Sequence, residues 1–107
     1  MPAILQVNYR PSATQQQTSL AARFASAERI NGLPGFRWKT WISSAETGLR
    51  GGIYLFDDVP SARNWAEQVS KSLTEAGGTD LTARVFEVNE ELSAVTHAPI
   101  GTAASSR

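Results

Sequence analysis

Lys39 has the most unusual chemical surroundings of any ionisable residue in this sequence. It lies between Trp38 and Trp41 in the segment GFRWKTW, residues 35–41. If the segment is a strand, Lys39 and Trp41 point to one side and Trp38 to the other, because successive side chains alternate. An amine buried among rings needs a carboxylate, a carbonyl or a bound anion, because an unpaired buried charge is costly. Three interpretations are open: an ion pair between subunits, a contact with the anionic form of an aromatic substrate, or a solvated surface charge.

Aromatic and polar residues elsewhere in the chain could complete a pocket around this segment. Pockets for flat organic ligands have mostly apolar walls and a few polar groups that orient the ligand. Ordinary cores have a similar composition, so each aromatic residue taken alone also fits a structural role. The candidate substrate-binding residues are Gln6, Asn8, Trp38, Trp41, Tyr54, Trp65 and Phe86, and the candidate catalytic residues are Lys39, Arg84 and Asn8.

The sequence argues against several other kinds of site. Cysteine is absent and His97 is the single histidine, which disfavours transition-metal and haem centres, because their usual ligands are missing. Asp57 and Asp58 follow a predicted strand and fit a helix-capping role. The glycines of GLRGG, residues 48–52, precede a strand, whereas a dinucleotide-binding loop connects a strand to a helix. We therefore expect no metal and no bound cofactor.

Composition and charge indicate a small soluble domain. Ten Lys and Arg residues balance ten Asp and Glu residues, and there is no basic stripe of the kind that binds nucleic acid or an anionic membrane. No apolar run reaches the roughly 20 residues of a membrane span, and the N-terminus lacks the pattern of a signal peptide. We therefore expect a cytoplasmic protein that binds neither nucleic acid nor membrane.

Strand and helix patterns alternate in the order β-α-β-β-α-β, which is the ferredoxin-like α+β arrangement. Apolar alternation predicts strands at 3–9, from 35 to about 43, from 51 and from 80. Helices are predicted from the capping box at Ser12 to Ile30, where Leu20, Phe24, Ala27 and Ile30 form one apolar stripe, and again from 59 to 76. Residues 93–107 are rich in Ala, Ser, Thr, Gly and Pro, so we interpret 1–92 as a single domain and 93–107 as a C-terminal tail.

Two helices can cover only one face of a four-stranded sheet. We expect the more apolar rows to face the helices, namely Leu5, Val7, Phe36, Trp38, Ile53, Leu55, Leu81 and Val85. The opposite rows would then present Gln6, Asn8, Lys39, Trp41, Tyr54, Phe56, Arg84, Phe86 and Val88. An exposed patch so rich in aromatic side chains is typical of an interface or a binding site. This favours a homodimer of packed sheets, with a tail that could reach the partner.

Four segments resemble the YdhR-type putative monooxygenase family of the dimeric α+β-barrel superfamily. They are GFRWKTW (35–41), GGIYLF (51–56), the pair at 61–62 and VFEVNEELS (85–93), and the similarity extends from Ile4 to about Thr96. The resemblance implies a homodimer whose sheets form a barrel, with a pocket between sheet and helices in each subunit. It also implies a monooxygenase, in a superfamily that includes oxygenases using neither metal, flavin nor haem.

The chain departs from this family at positions that bear on chemistry. Asn8 stands where a histidine can occur, which places any mechanism with an imidazole base there in doubt. Trp65 stands where a smaller ring is usual, which implies a different pocket shape and a different substrate. Arg37 and Glu91 replace an apolar residue and a proline.

The resemblance suggests a reaction in which the substrate itself supplies the electrons. A phenol, hydroquinone or anthrone-like ring, once deprotonated, can pass an electron to dioxygen while the protein provides a dry cavity, orientation and charge stabilisation. Lys39 or Arg84 would stabilise the anion, with Asn8, Gln6 or Tyr54 as hydrogen-bond partners, and burial could lower the pKa of Lys39. The alternatives are a small-molecule-binding or ring-closing barrel without a redox step, such as a cyclase or isomerase, and a purely structural dimeric module.

Overall fold

The computed structural model describes residues 1–100 and contains one four-stranded antiparallel sheet. The strands are β1 (Ala3–Arg10), β2 (Phe36–Ser43), β3 (Arg50–Phe56) and β4 (Thr79–Glu87), in the sheet order β2-β3-β1-β4. The helices are α1 (Ala13–Gln16), α2 (Leu20–Ile30), α3 (Val59–Glu75) and α4 (Glu90–Val95). The predicted ferredoxin-like α+β fold is therefore confirmed. Within residues 1–100, no helix has the length and apolar character needed to cross a membrane.

The first predicted helix is interrupted and forms two helices, α1 and α2. Ser12 begins α1 through the predicted capping box, in which its side chain accepts from the N–H of Gln15 and the Gln15 side chain accepts from the N–H of Ser12. Ser19 then begins α2 by accepting from the N–H of Ala22. A serine hydroxyl that bonds nearby backbone groups competes with the helical ladder. The second cap therefore divides what apolar spacing alone predicts as one helix.

The two long helices relate differently to the sheet. The predicted cap Asp58 begins α3, which packs directly on β4, β1 and β3, whereas α2 stands away from the strands. Ile30 at the end of α2 is buried, but Leu20 and Phe24, which the apolar spacing also assigns to the core, are 68% and 64% exposed. The space left between α2 and the sheet is the cavity described below.

Strand pairing shows that β3, and β2 beyond Phe36, turn toward the helices the row opposite to the one predicted. Residues directly across an antiparallel pair share a face. The buried residue Leu5 pairs with Tyr54, and Tyr54 pairs with Lys39, so all three lie on the helix-covered face. The predicted covered-face residues Trp38, Ile53 and Leu55 lie on the other face, hereafter the open face.

A bulge in β2 explains the part of this error that lies in β2, whereas β3 pairs with β1 without a register shift, so its error comes from the choice of the aliphatic row. Phe36 pairs with Phe56, but the next pairing is Trp38 with Leu55, so Arg37 is an extra residue in the strand. One extra residue inverts the alternation of every residue after it. Phe36 and Lys39 consequently share a face although they are three positions apart.

Aromatic and aliphatic side chains from the middle of the sheet form the core under α3. Leu5, Val7, Tyr54 and Phe56 are all at most 2% exposed. Tyr54 stacks on Phe56 with ring centroids 5.9 Å apart, and Phe36 meets Phe56 edge-on at 6.0 Å. Packed rings of this kind hold β2 and β3 in a fixed register beneath the helices.

The C-terminal segment folds back onto its own chain. The predicted boundary at Ser93 lies inside α4, and beyond that helix the chain reaches β2, at the far edge of the sheet from β4. There the Trp38 indole donates to the Pro99 carbonyl at 2.7 Å, and Arg37 donates to the Ile100 carbonyl at 2.6 Å. Ile100 is buried. The remainder of the predicted tail, residues 101–107, lies outside the described residues.

Candidate functional site

A cavity of about 570 Å³ lies between the sheet and helices α2 and α3. Strands β1, β2 and β3 form its floor, and α2 and α3 form its walls. Its aromatic lining residues are Tyr9, Trp41, Tyr54 and Trp65. A volume of this size, with aromatic walls, suits a small organic molecule with one to a few rings.

Lys39 projects from β2 into this cavity. Its Nζ lies 3.3 Å from the centroid of the Trp41 ring and 4.7 Å from that of Tyr54. Among the residues described, Lys39 forms no ion pair and its side chain makes no hydrogen bond. Burial, with a smaller contribution from the positive charge of Arg23, lowers the pKa of Lys39 from 10.5 to about 7. Near neutral pH a large share of this amine is therefore uncharged, with its lone pair free to accept a proton.

Gly52 on β3 provides the space that the Lys39 side chain needs. Gly52 is paired across the sheet with Trp41, beside Lys39, and a Cβ atom at this position would collide with Cε of Lys39. Its backbone does not require glycine, since its φ is not positive. Because Gly52 has no side chain, the Lys39 side chain has room to extend over the cavity floor.

Trp65 and Tyr54 form an aromatic wall of the cavity. Their rings meet edge-on with centroids 6.3 Å apart. The indole N–H of Trp65 is buried and has no hydrogen-bond partner within the described chain. Burial raises the pKa of the Tyr54 phenol, and the nearby indole N–H, outside hydrogen-bonding geometry, partly offsets the rise. Because the indole nitrogen is enclosed by protein, it does not face the open space of the cavity, and the two rings contribute apolar surface to the wall.

The charged groups that line the cavity are all basic. Besides Lys39 they are Arg23 and Arg29 of α2 and Arg50 of β3, whereas none of the lining residues is Asp or Glu. Arg23 lies 5.9 Å above the Trp41 ring, and Arg50 donates to the Gln15 carbonyl at 3.2 Å. A chain with equal numbers of acidic and basic residues thus concentrates basic groups at one cavity, which attracts anions.

Four of the predicted site residues come together in this cavity: Lys39, Trp41, Tyr54 and Trp65. Trp38, on the open face, lies in an adjoining groove of about 330 Å³ between α2 and the edge of β2, and Lys39 and Trp41 line this groove as well as the cavity. The remaining candidates, Gln6, Asn8, Arg84 and Phe86, lie on the open face, away from the cavity. There Gln6 donates to the Asn8 side chain at 3.1 Å. Successive side chains of a strand point to opposite faces of the sheet, and Arg84 and Asn8 are on the face opposite to Lys39. They therefore do not act beside Lys39 within one chain.

The arginines of the cavity were missed because each looks like an ordinary surface charge in the sequence. Arg23, Ser26 and Arg29 recur every three residues, which places them on one side of α2. This three-residue spacing is the sequence feature that could indicate the cavity arginines of α2. It competes with the apolar stripe through Phe24, which predicts a different buried side for the same helix. Arg50 carries no signal of this kind. Within residues 1–100, no three His, Cys, Asp or Glu residues are grouped so as to hold a metal ion.

Comparisons with known proteins give a family and a related fold. The family described as "Putative mono-oxygenase ydhR" matches residues 4–99. A solved structure described as a putative antibiotic biosynthesis monooxygenase from Deinococcus radiodurans aligns with a TM-score of 0.57 and 15% identity, covering 81% of this chain and 92% of that one. No curated protein matches the chain. The structural likeness supports the ferredoxin-like fold, and the family match spans nearly the whole described chain: the protein belongs to the YdhR mono-oxygenase family.

Proposed function

We propose that the protein is a monooxygenase that inserts one oxygen atom into a small aromatic or polyketide-like molecule and draws the electrons from that substrate. Membership of a mono-oxygenase family supports the reaction class. The observation that carries the proposal further is the amine of Lys39, which lies unpaired against the Trp41 ring in an aromatic cavity.

In the proposed first step, the free amine of Lys39 takes a proton from the substrate. A phenol or an enolisable ring ketone placed against Trp41 and Tyr54 would bring its acidic group to Nζ. Proton transfer turns the amine into an ammonium ion and the substrate into a phenolate or enolate, so the new charges form a pair. A base whose pKa lies near the working pH is suited to this transfer, and burial gives Lys39 such a pKa.

The deprotonated ring then reacts with dioxygen in a sequence that balances without an outside reductant. The anion gives one electron to dioxygen, and the resulting radical pair joins to form a carbon–oxygen bond. The peroxide formed in this way loses water as the ring carbon becomes a carbonyl. A CH₂ group and O₂ thus give C=O and H₂O, and all four electrons come from the substrate. The cavity contributes orientation, exclusion of water and positive charge near the developing anion.

The basic lining of the cavity supports an anionic substrate. Arg23, Arg29 and Arg50 lie around the same space as Lys39, with no Asp or Glu in the lining. Trp41, Tyr54 and Trp65 add aromatic walls to the same space. A ring that bears a phenolate, enolate or carboxylate would be attracted by the first feature and oriented by the second.

Oxygen uptake with a panel of polycyclic phenols and anthrones tests this function. The wild-type protein should consume oxygen with at least one panel member, and ¹⁸O₂ should label one product oxygen and one water. Lys39→Met should lower the rate at least about tenfold, whereas Lys71→Met should leave it unchanged, because Lys71 is exposed on α3 and does not line the cavity. Equal rates in Lys39→Met and wild type would contradict the assigned role of Lys39. Binding of the same compounds without uptake would favour the non-redox alternative, a binding or ring-closing protein.

A further inference from the structure

The two lysines of this chain occupy opposite environments. The sequence contains Lys39 and Lys71 and no other lysine. Lys39 lies over the floor of the cavity, between the rings of Trp41 and Tyr54, whereas Lys71 is exposed on α3. The chain therefore contains an internal comparison between a lysine in an apolar site and a lysine in water.

The surroundings of Lys39 leave its amine available as a nucleophile as well as a base. The charged groups that line the cavity with Lys39 are basic: Arg23 and Arg29 from α2, and Arg50 from β3. Lys39 also borders the neighbouring groove, which contains Glu28 and Arg37, but it forms no ion pair with Glu28, and α3 contributes no charged residue to the cavity wall. A lysine close to other cations in an apolar pocket is the arrangement that activates an amine toward carbonyl compounds.

We infer that Lys39 is a carbonyl-reactive residue, which captures aromatic aldehydes or ketones in the cavity as an imine. The lone pair of Nζ attacks the carbonyl carbon, and a C–N bond forms while a proton moves from nitrogen to oxygen. The carbinolamine then loses water, and the C=N bond replaces the C=O bond. The step is not a redox reaction and needs neither dioxygen nor a reductant.

Three features of the cavity favour an aromatic carbonyl over an aliphatic one. The Trp41 ring lies directly under Nζ, so a flat ring bound beside Trp41 brings its carbonyl substituent to the amine. Tyr9 and Trp65 extend the aromatic lining of the same cavity. The arginines add preference for a ring that also carries a negative charge.

This activity uses the same lone pair as the proposed proton transfer but is independent of oxygenation. Imine capture takes place under nitrogen, where no monooxygenase reaction can proceed. Imine capture without oxygen uptake would therefore support this inference and contradict the proposed function. Oxygen uptake without imine capture would contradict only this inference.

Reductive trapping with naphthaldehyde and cyanoborohydride under nitrogen at pH 7 tests the inference. Peptide mapping by mass spectrometry separates adducts on Lys39, Lys71 and the N-terminal amine. At this pH, the lower pKa gives Lys39 roughly a thousand times more free base than an ordinary lysine. Since an amine of lower pKa is also a weaker nucleophile, we expect the Lys39 adduct to form at least about tenfold faster than the Lys71 adduct.

Matched variants show whether the Lys39 adduct forms because of the cavity or because of the general reactivity of lysine amines. Lys39→Arg retains a cation but removes the reactive amine, so the cavity adduct should disappear while labelling of Lys71 continues. Lys71→Met should leave the Lys39 adduct rate unchanged. The Lys39 rate should increase with pH and level off above about 7, whereas labelling of Lys71 should still be rising at pH 9. Equal labelling rates for the two lysines in the wild-type protein at pH 7 would overturn the inference.

Discussion

At the residue scale, Lys39 combines a high desolvation cost with a chemical use for the uncharged amine. The rings of Trp41 and Tyr54 attract the ammonium form, but burial opposes it and sets the direction of the pKa shift. A lysine kept only for stability would be expected to have a carboxylate partner. A pocket that disfavours the charge and offers no acid is better suited to moving a proton.

This cost makes the stability of the protein depend on pH in a predictable way. The folded-state pKa of Lys39 is about 7 and the ordinary value is 10.5, so between these values the unfolded chain binds more protons. The free energy of unfolding should therefore rise with pH across this window, by up to about 1.4 kcal/mol per pH unit from this group. Urea unfolding of wild type and Lys39→Met at pH 6 and pH 9 isolates the effect, because other groups cancel in the difference. A wild-type-minus-variant difference that is equal at the two pH values would show that Lys39 keeps an ordinary pKa.

Two adjacent glycines should respond differently to substitution by alanine. A Cβ at Gly52 would meet only Cε of Lys39, the flexible end of a side chain, whereas a Cβ at Gly51 would collide with the backbone carbonyl of Val7. Gly52→Ala should therefore displace the amine, lowering its reaction rates about tenfold or more with little change in melting temperature. Gly51→Ala should lower stability by several kcal/mol, because it separates β1 from β3. Melting curves and rates for both variants provide the measurement, and a large loss of stability in Gly52→Ala would refute this role for Gly52.

The sequence predicts the members of the site better than their arrangement. The types and positions of Lys39, Trp41, Tyr54 and Trp65 indicated an aromatic pocket with a lysine, and these four residues do line one cavity. Asn8 and Arg84 were grouped with them by polarity alone, and pairing in the sheet places both on the open face. The polarity of a residue does not show which face of the sheet its side chain occupies. The placement of Asn8 and Arg84 could therefore be corrected only from the pairing register of the strands.

At the element scale, strands and caps follow from local chemistry, while register depends on one extra residue. The four strands and the caps at Ser12 and Asp58 are all confirmed. The bulge at Arg37 is stabilised by contacts distant in sequence: its guanidinium pairs with Asp57 at 2.6 Å and donates to the Ile100 carbonyl. Nothing in the sequence of β2 indicates that Asp57 and Ile100 are the partners of Arg37. Alternation alone therefore places β2 beyond Phe36 on the wrong face. In β3, which pairs with β1 without a register shift, the error comes from expecting the aliphatic residues Ile53 and Leu55 to be the covered row.

The C-terminal segment should stabilise β2 through its last two described residues. Deleting 99–107 removes the acceptors of Trp38 and Arg37 and the buried side chain of Ile100. Two hydrogen bonds at about 1 kcal/mol each and one buried isoleucine predict a loss of roughly 2–4 kcal/mol in the free energy of unfolding. Deleting only 101–107 is the matched control and should cost much less. If both deletions have equal effects in urea unfolding monitored by tryptophan fluorescence, the contacts of Pro99 and Ile100 are not stabilising.

At the scale of the whole molecule, α2 and α3 leave one face of the sheet without a cover, and only part of that face is enclosed, where Leu55 is fully buried and Trp38 donates to the Pro99 carbonyl. That open face carries Phe86, which is 51% exposed, and Ile53, together with the polar residues Gln6, Asn8 and Arg84. The polar residues that were predicted to bind substrate thus lie where a partner would contact the sheet. A mixed surface with exposed aromatic residues is typical of protein interfaces.

We expect this open face to be covered by a second copy of the chain, so that the protein is a homodimer in solution. Burying Phe86 and Ile53 against the same face of a partner is the simplest way to remove both from water, and a two-fold arrangement needs only one self-complementary surface. Phe86→Asp places a charge within that contact and should shift the mass measured by light scattering at micromolar concentration from dimer to monomer. Leu20→Asp is the matched control: Leu20 is 68% exposed on α2, on the other side of the molecule, so the same substitution there should leave the mass unchanged. A wild-type monomer, or a Phe86→Asp dimer as stable as wild type, would show that the sheets do not pair through this face.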